Sequence, residues 1–341
     1  MFQVSFWAMA TMTSVVVNAM TQFRTDTSNE KAQSRKPQIE KLGTIDCDMV
    51  ETTPIVFHSR LYRFEYVRAN YKPNNKIHLP PFSKGEGDSY FRFIDVELGK
   101  PTPAFAAGYH LGSAYVQDDT VYVYGVDTWG GEKIQVFWSK DLEKWSSKPA
   151  LILPGWGIYN TSVCKGPESY IMAFEIGKPP EETGVAFTTR FAESSDLLNW
   201  KLTPSECVYS KERYTACPAL RFLDGFYYMV YLEARSGPIY ETHIVRSKDL
   251  VHWESSSFNP VLHFSAEDKK IGNPNLTTEQ REHIAKAVNR NNSDVDLCEF
   301  NGRVIIYYSW GDQQGTEFLA HAVYRGTLKS FCHGFFPKIV P

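Results

Sequence analysis

Residues 112–126, GSAYVQDDTVYVYGV, alternate apolar and polar positions through two short runs joined by a turn. A period of two over runs this short predicts a hairpin of half-buried strands. The layout recurs in TPIVFHSRLYRFEYV (53–67), TSVCKGPESYIMAFEI (161–176), CPALRFLDGFYYMVYLEA (217–234) and DVDLCEFNGRVIIYYSW (294–310). Asp224-Gly225 and Asn301-Gly302 sit between the runs and tolerate the positive φ that tight hairpins need.

A second pattern interleaves with the first. SKDLEKW (139–145), SSDLLNW (194–200) and SKDLVHW (247–253) repeat with Asp141, Asp196 and Asp249 spaced by 55 and 53 residues. RFIDVELGK (92–100) and YRGTLKSF (324–331) fit as degraded copies. The Ser and Asp side chains can accept backbone N–H groups of a turn, leaving Leu and Trp to be buried. Five hairpins, each followed by a third strand, such a corner and an outer strand, make five four-stranded sheets. A unit of about 50 residues cannot bury both faces alone, so neighbours must stack radially. The expected fold is all-β, a five-bladed β-propeller of four-stranded antiparallel blades. Two interleaved patterns in fixed order argue against a β-sandwich. Between blades four and five the spacing lengthens over residues 265–291. There Thr277 and Gln280 form a capping-box signature, and Ile284, Ala287 and Val288 a helical stripe. This predicts a helix-bearing insertion.

Composition narrows the classes. The 341 residues, 43% hydrophobic and 22% charged, are those of a soluble globular protein. A net charge of −3 without a basic stripe excludes a nucleic-acid partner. Six scattered cysteines without a C-x-x-C pair read as buried small hydrophobes. Residues 1–45 divide into an apolar segment and a polar linker, and 46–341 form the propeller. The apolar segment lacks Lys or Arg before Arg24, so secreted and cytoplasmic locations both stay open. No other stretch could span a membrane, and no feature indicates a protein partner. Neither G-x-S-x-G, H-E-x-x-H, a P-loop nor a dinucleotide fingerprint before a helix occurs.

Five blades closing with Ser-x-Asp-Leu-x-x-Trp resemble the five-bladed glycoside hydrolases of families 43, 32, 62 and 117, over roughly Asp46 to Phe336. That resemblance implies a carbohydrate substrate and a trio of carboxylates: an Asp opening blade one, an Asp opening blade two and a Glu opening blade three. The chain departs at all three. Thr53 precedes Pro54, with Glu51 two residues earlier. Blade two opens with His110-Leu-Gly-Ser113 and blade three with Tyr159-Asn160-Thr161.

Strand ends supply other candidates. The start of an inner strand and the end of the second lie at the same mouth of the funnel. The second strands end on or near Glu65, Asp127, Glu175, Glu233 and Asp312, and Asp294 and Asp296 open the last blade. Glycoside hydrolysis needs one protonated and one ionised carboxyl. Glu51 is the expected base or nucleophile. Glu233, then Glu175, is the expected acid, because apolar neighbours raise a carboxyl pKa. His110, Asp127, Asn160, Arg235, Asp294 and Asp312 are candidate substrate ligands, and Trp129 and Trp310 candidate stacking platforms. No cofactor is expected; the architecture would accept a structural calcium in its channel, but no ligand cluster demands one. The leading reading is a glycosidase, with a non-catalytic carbohydrate-binding propeller and a glycan phosphorylase (Arg235, Lys178 and His110 around phosphate) as alternatives.

Overall fold

The computed structural model describes residues 36–68, 89–237 and 239–337. The N-terminal apolar segment and most of the expected linker lie outside them. Five four-stranded antiparallel sheets succeed one another along the chain. Their inner strands, Val50–Phe57, His110–Gln117, Gly157–Lys165, Thr215–Leu223 and Ser293–Phe300, pack side by side around a central axis. The insertion carries a short 3-10 turn, Ala266–Lys269, and the helix Thr278–Lys286. The expected capping box forms there: Thr277 Oγ1 accepts from Gln280 N, and Gln280 Oε1 accepts from Thr277 N.

The repeated corners join blades to one another. In each full copy the serine hydroxyl (Ser139, Ser194, Ser247) accepts the leucine N–H at 2.9–3.0 Å. The aspartate then accepts the next two backbone N–H groups. This dense set of acceptors holds Leu142, Leu197 and Leu250 at φ of 61–66°, where a side chain is unfavourable. Each corner tryptophan lies against the preceding blade. Trp145 lies parallel to Phe93, Trp200 meets Tyr124 edge-on, and Trp253 lies over Phe191.

Two expectations need correction. YRGTLKSF is not a blade corner. Thr327 caps the helix Leu328–Gly334, which buries Phe331 and Cys332 against blade five. The outer strand of that blade comes instead from Ile39–Cys47, pairing antiparallel with Glu317–Tyr324, so the propeller begins before residue 46 and part of the expected linker is strand. The ring is thus closed by joining the two ends of the domain. Lys41, which breaks the apolar pattern of that strand, is buried 2.7 Å from Asp268. Asp268 is itself fully buried and accepts from Tyr308, Asn289, Asn292 and Ser265 N. Gly43, at φ 98°, has the Lys270 carbonyl where a Cβ would stand.

Ser247→Ala should cost about 1 kcal/mol by removing the corner acceptor. Lys41→Ala, which strands a buried carboxylate, should cost about 3–5 kcal/mol. Urea unfolding of both variants checks the ranking; equal losses would contradict the closure described here.

Candidate active site

One backbone device shapes the centre of the molecule. In each inner strand, two residues face a single residue of the second strand. The pairs are Glu51-Thr52, Leu111-Gly112, Tyr159-Asn160, Cys217-Pro218 and Asp294-Val295. They stand opposite Glu65, Gly125, Glu175, Tyr231 and Tyr308. A β-bulge bends its strand and re-aims a side chain. Here bulges at one level turn Glu51, Asn160, Cys217 and Asp294 toward the axis, whereas Leu111 of blade two packs into the core. Glu51, Leu111, Cys217 and Asp294 have φ of 49–53°, a conformation that non-glycine residues adopt at a cost of about 1–3 kcal/mol each. Pro218 fits because a bulge needs no ladder N–H. Glu51, Asn160, Cys217, Asp294 and their neighbours line a small open cavity of about 30 Å³ at the centre of the propeller.

Acids dominate this centre. Glu175 accepts hydrogen bonds from Asn160 Nδ2 and from Cys217 N in the next blade, both at 2.9 Å. Burial nevertheless pushes its carboxyl up to about 7, and the Asp294 charge adds to the rise. Glu51 is held well above the usual carboxylate range by burial and then by Asp294, against the pull of Arg68. Glu317, on the third strand of blade five, is pushed up to about 8 by the same two causes. The Cys217 thiol, 3.3 Å from Asn160 Nδ2, is also raised well above its ordinary value by burial and by Asp294. For all four groups, Asp294 is the largest charge raising the pKa. Asp294 itself accepts from Ser293 Oγ at 3.0 Å.

The fold brings together four of the residues singled out in the sequence: Glu51, Asn160, Glu175 and Asp294. It leaves the others elsewhere. Glu233 accepts from Tyr231 Oη at 2.7 Å, at the end of a Tyr209–Tyr231–Glu233 chain, with Arg213 at 3.6 Å. The blade-four bulge stands opposite Tyr231, so Glu233 lies two residues beyond the position that Glu175 holds in blade three. Glu65 does stand opposite a bulge, but Arg63 and Arg92 neutralise it. His110 is fully buried, with Nδ1 2.9 Å from Tyr66 Oη. Asp127 lies 3.6 Å from Lys133, and Arg235 lies 3.6 Å from Glu241. Asp312 caps its own loop through Gln314 N and Thr316 N. Trp310 is not a platform: it is fully buried, stacked 4.4 Å from Phe318, and donates to Thr44 Oγ1. Trp129 meets Tyr159 edge-on at 5.8 Å. From there, Phe187, Tyr214 and Tyr240 continue an arc of half-buried rings 5.2–5.8 Å apart.

No family model matches the chain, and no curated protein matches it by sequence. Solved structures do match in fold. A thermostable family-43 glycoside hydrolase aligns at a TM-score of 0.56 and 12% identity, over 82% of this chain and 90% of the other. CoXyl43, a GH43 β-xylosidase/α-arabinofuranosidase from a compost microbial metagenome in complex with xylotriose, aligns at 0.51 and 13%, over 85% and 94%. A further glycoside hydrolase aligns at 0.58 and 13%, over 84% and 92%. The five-bladed propeller is therefore the architecture that this chain shares with known glycoside hydrolases.

The acids make stability depend on pH. Unfolded, Glu317 releases its proton near its ordinary 4.5, whereas the folded chain keeps it up to about 8. Its contribution to stability is therefore lost as pH rises through that window. Glu317→Gln has no proton to lose. Thermal melts should show it more stable than the parent above pH 8, and the advantage should vanish near pH 4. A variant less stable at the alkaline end would contradict this.

Proposed function

We propose that the protein hydrolyses a glycosidic bond, with Glu175 as general acid and Asp294 as base or nucleophile. The observation that carries this is the paired environment at the centre: Glu175 keeps its proton to about 7, beside a carboxylate whose charge raises each of its acidic neighbours. A carboxyl that keeps its proton beside a second carboxyl group is what this reaction uses. Glu175 gives its proton to the departing glycosidic oxygen. Asn160 Nδ2 and Cys217 N then stabilise the carboxylate that remains. Asp294 serves as base toward water or as nucleophile toward the anomeric carbon. Glu51, expected from sequence to be the base, is assigned here as a protonated partner of Asp294.

The arc from Trp129 to Tyr240 supports a carbohydrate substrate, because aromatic rings suit the apolar C–H face of a sugar. Aryl β-xylosides and α-arabinofuranosides are the first substrates to test, since CoXyl43 acts as a β-xylosidase/α-arabinofuranosidase on the same fold. The phosphorylase alternative has little support: Arg235 is paired with Glu241, His110 with Tyr66, and Lys178 is solvent-exposed.

Turnover should proceed without phosphate and fall as pH rises through about 7, where Glu175 ionises. Glu175→Gln and Asp294→Asn should each lose about 10²–10⁴-fold in kcat on substrates with poor leaving groups. Glu233→Gln should stay near the parent rate. Full activity in Glu175→Gln would overturn the assignment, and saturable glycan binding without turnover on any panel would favour a binding propeller.

A further inference from the structure

Three residues further along the same inner strands, beyond the central cavity, lies a second cavity of about 320 Å³. Ile55, Val116, Val163 and Leu223, from four blades, give it an apolar wall. Arg221 and Lys165 are the charged side chains that line it.

Arg221 is an unusual wall residue. Its guanidinium ion-pairs with Asp296 and donates to the carbonyls of Leu220 and Leu297. Those three bonds use three of the five N–H groups an arginine offers. About a fifth of its side chain stays accessible (20%). Asp296 lines the central cavity, whereas Arg221 lines the second one, so their ion pair lies between the two. None of the described residues lining the second cavity is acidic. The two thiols lining it, Cys164 and Cys298, are pushed up to about 12 by burial and stay neutral. Lys165, solvent-exposed at the rim, adds a second positive charge.

We infer that this cavity is a binding site, separate from the funnel, for a small amphipathic carboxylate. The carboxylate takes the remaining Arg221 N–H groups, and the hydrocarbon body fills the aliphatic wall. The volume lies within the range of small-ligand pockets, which combine an apolar lining with a few fixed polar groups. One partly committed guanidinium and one rim ammonium match a single negative charge better than a phosphate dianion. Carboxylate–guanidinium hydrogen bonds are among the stronger ones because both partners are charged.

Hexanoate and benzoate, with hexanol as the uncharged control, test this in solution by amide chemical-shift titration of the whole chain. Both acids should saturate and shift Cys164, Lys165 and the segment around Arg221. Hexanol should bind at least about tenfold more weakly, the loss of one charged interaction. Lys165→Glu, at an exposed position, should weaken hexanoate several-fold, and Val163→Phe should block it by filling the wall. Asp294→Asn should leave it unchanged. Shifts confined to Glu51, Asn160 and Cys217, equal affinity for hexanol, no saturation up to about 10 mM, or unaltered binding in both cavity variants would each overturn the assignment.

Discussion

Like charges cannot crowd into a buried space without giving up protons, and the centre of this propeller is organised by that constraint. Glu51, Glu175, Asp294 and Glu317 converge on one axis, and Arg68 is the cation that opposes the rise in both Glu51 and Glu317. Burial penalises every ionised form, and each charge that survives raises its neighbours. The stable arrangement keeps some of these acids protonated near neutrality.

The backbone makes this crowding feasible. A regular inner strand would alternate its side chains between the two faces of its blade, toward neighbouring blades. The bulge repeated in all five strands breaks that alternation at one level and turns Glu51, Asn160, Cys217 and Asp294 to the axis. Positive φ at four of the bulge sites is unfavourable, and the surrounding structure must offset it. The corners supply part of that offset. Each Ser-x-Asp-Leu-x-x-Trp unit ties its own turn with a buried serine and an exposed aspartate as acceptors and fastens its tryptophan to the blade before it. The N-terminal strand, held by Lys41 and Asp268, closes the ring. The motif that repeats thus lies outside, and the acids that do not repeat lie inside.

That division explains what could be read from the chain. The fold was legible because hairpins and corners recur, and recurrence in fixed order has few architectural solutions. Glu175 and Asp294 were legible as charges at strand ends. Their pairing was not, since it depends on bulges that shift register by one residue without a sequence mark. Glu233 ends its strand much as Glu175 does, yet it stands two residues beyond Tyr231, the residue opposite the blade-four bulge. Trp310 looked available, but the insertion and blade five enclose it beside Phe318. Glu317 was hidden on a third strand, and Cys217 passed for a core hydrophobe. The closing strand escaped notice because Lys41 interrupts its apolar pattern, and its partner Asp268 lies in the distant insertion.

The account rests on Glu175 holding its proton near neutrality in the folded protein. Carboxyl carbon shifts of the glutamate-labelled chain, followed against pH and assigned by comparison with Glu175→Gln, measure this directly. A glutamate resonance titrating near 7 in the parent and missing from the variant is the predicted result. If every glutamate that differs between the two titrates near the ordinary value of 4.5, Glu175 is an ionised rim carboxylate and the account fails.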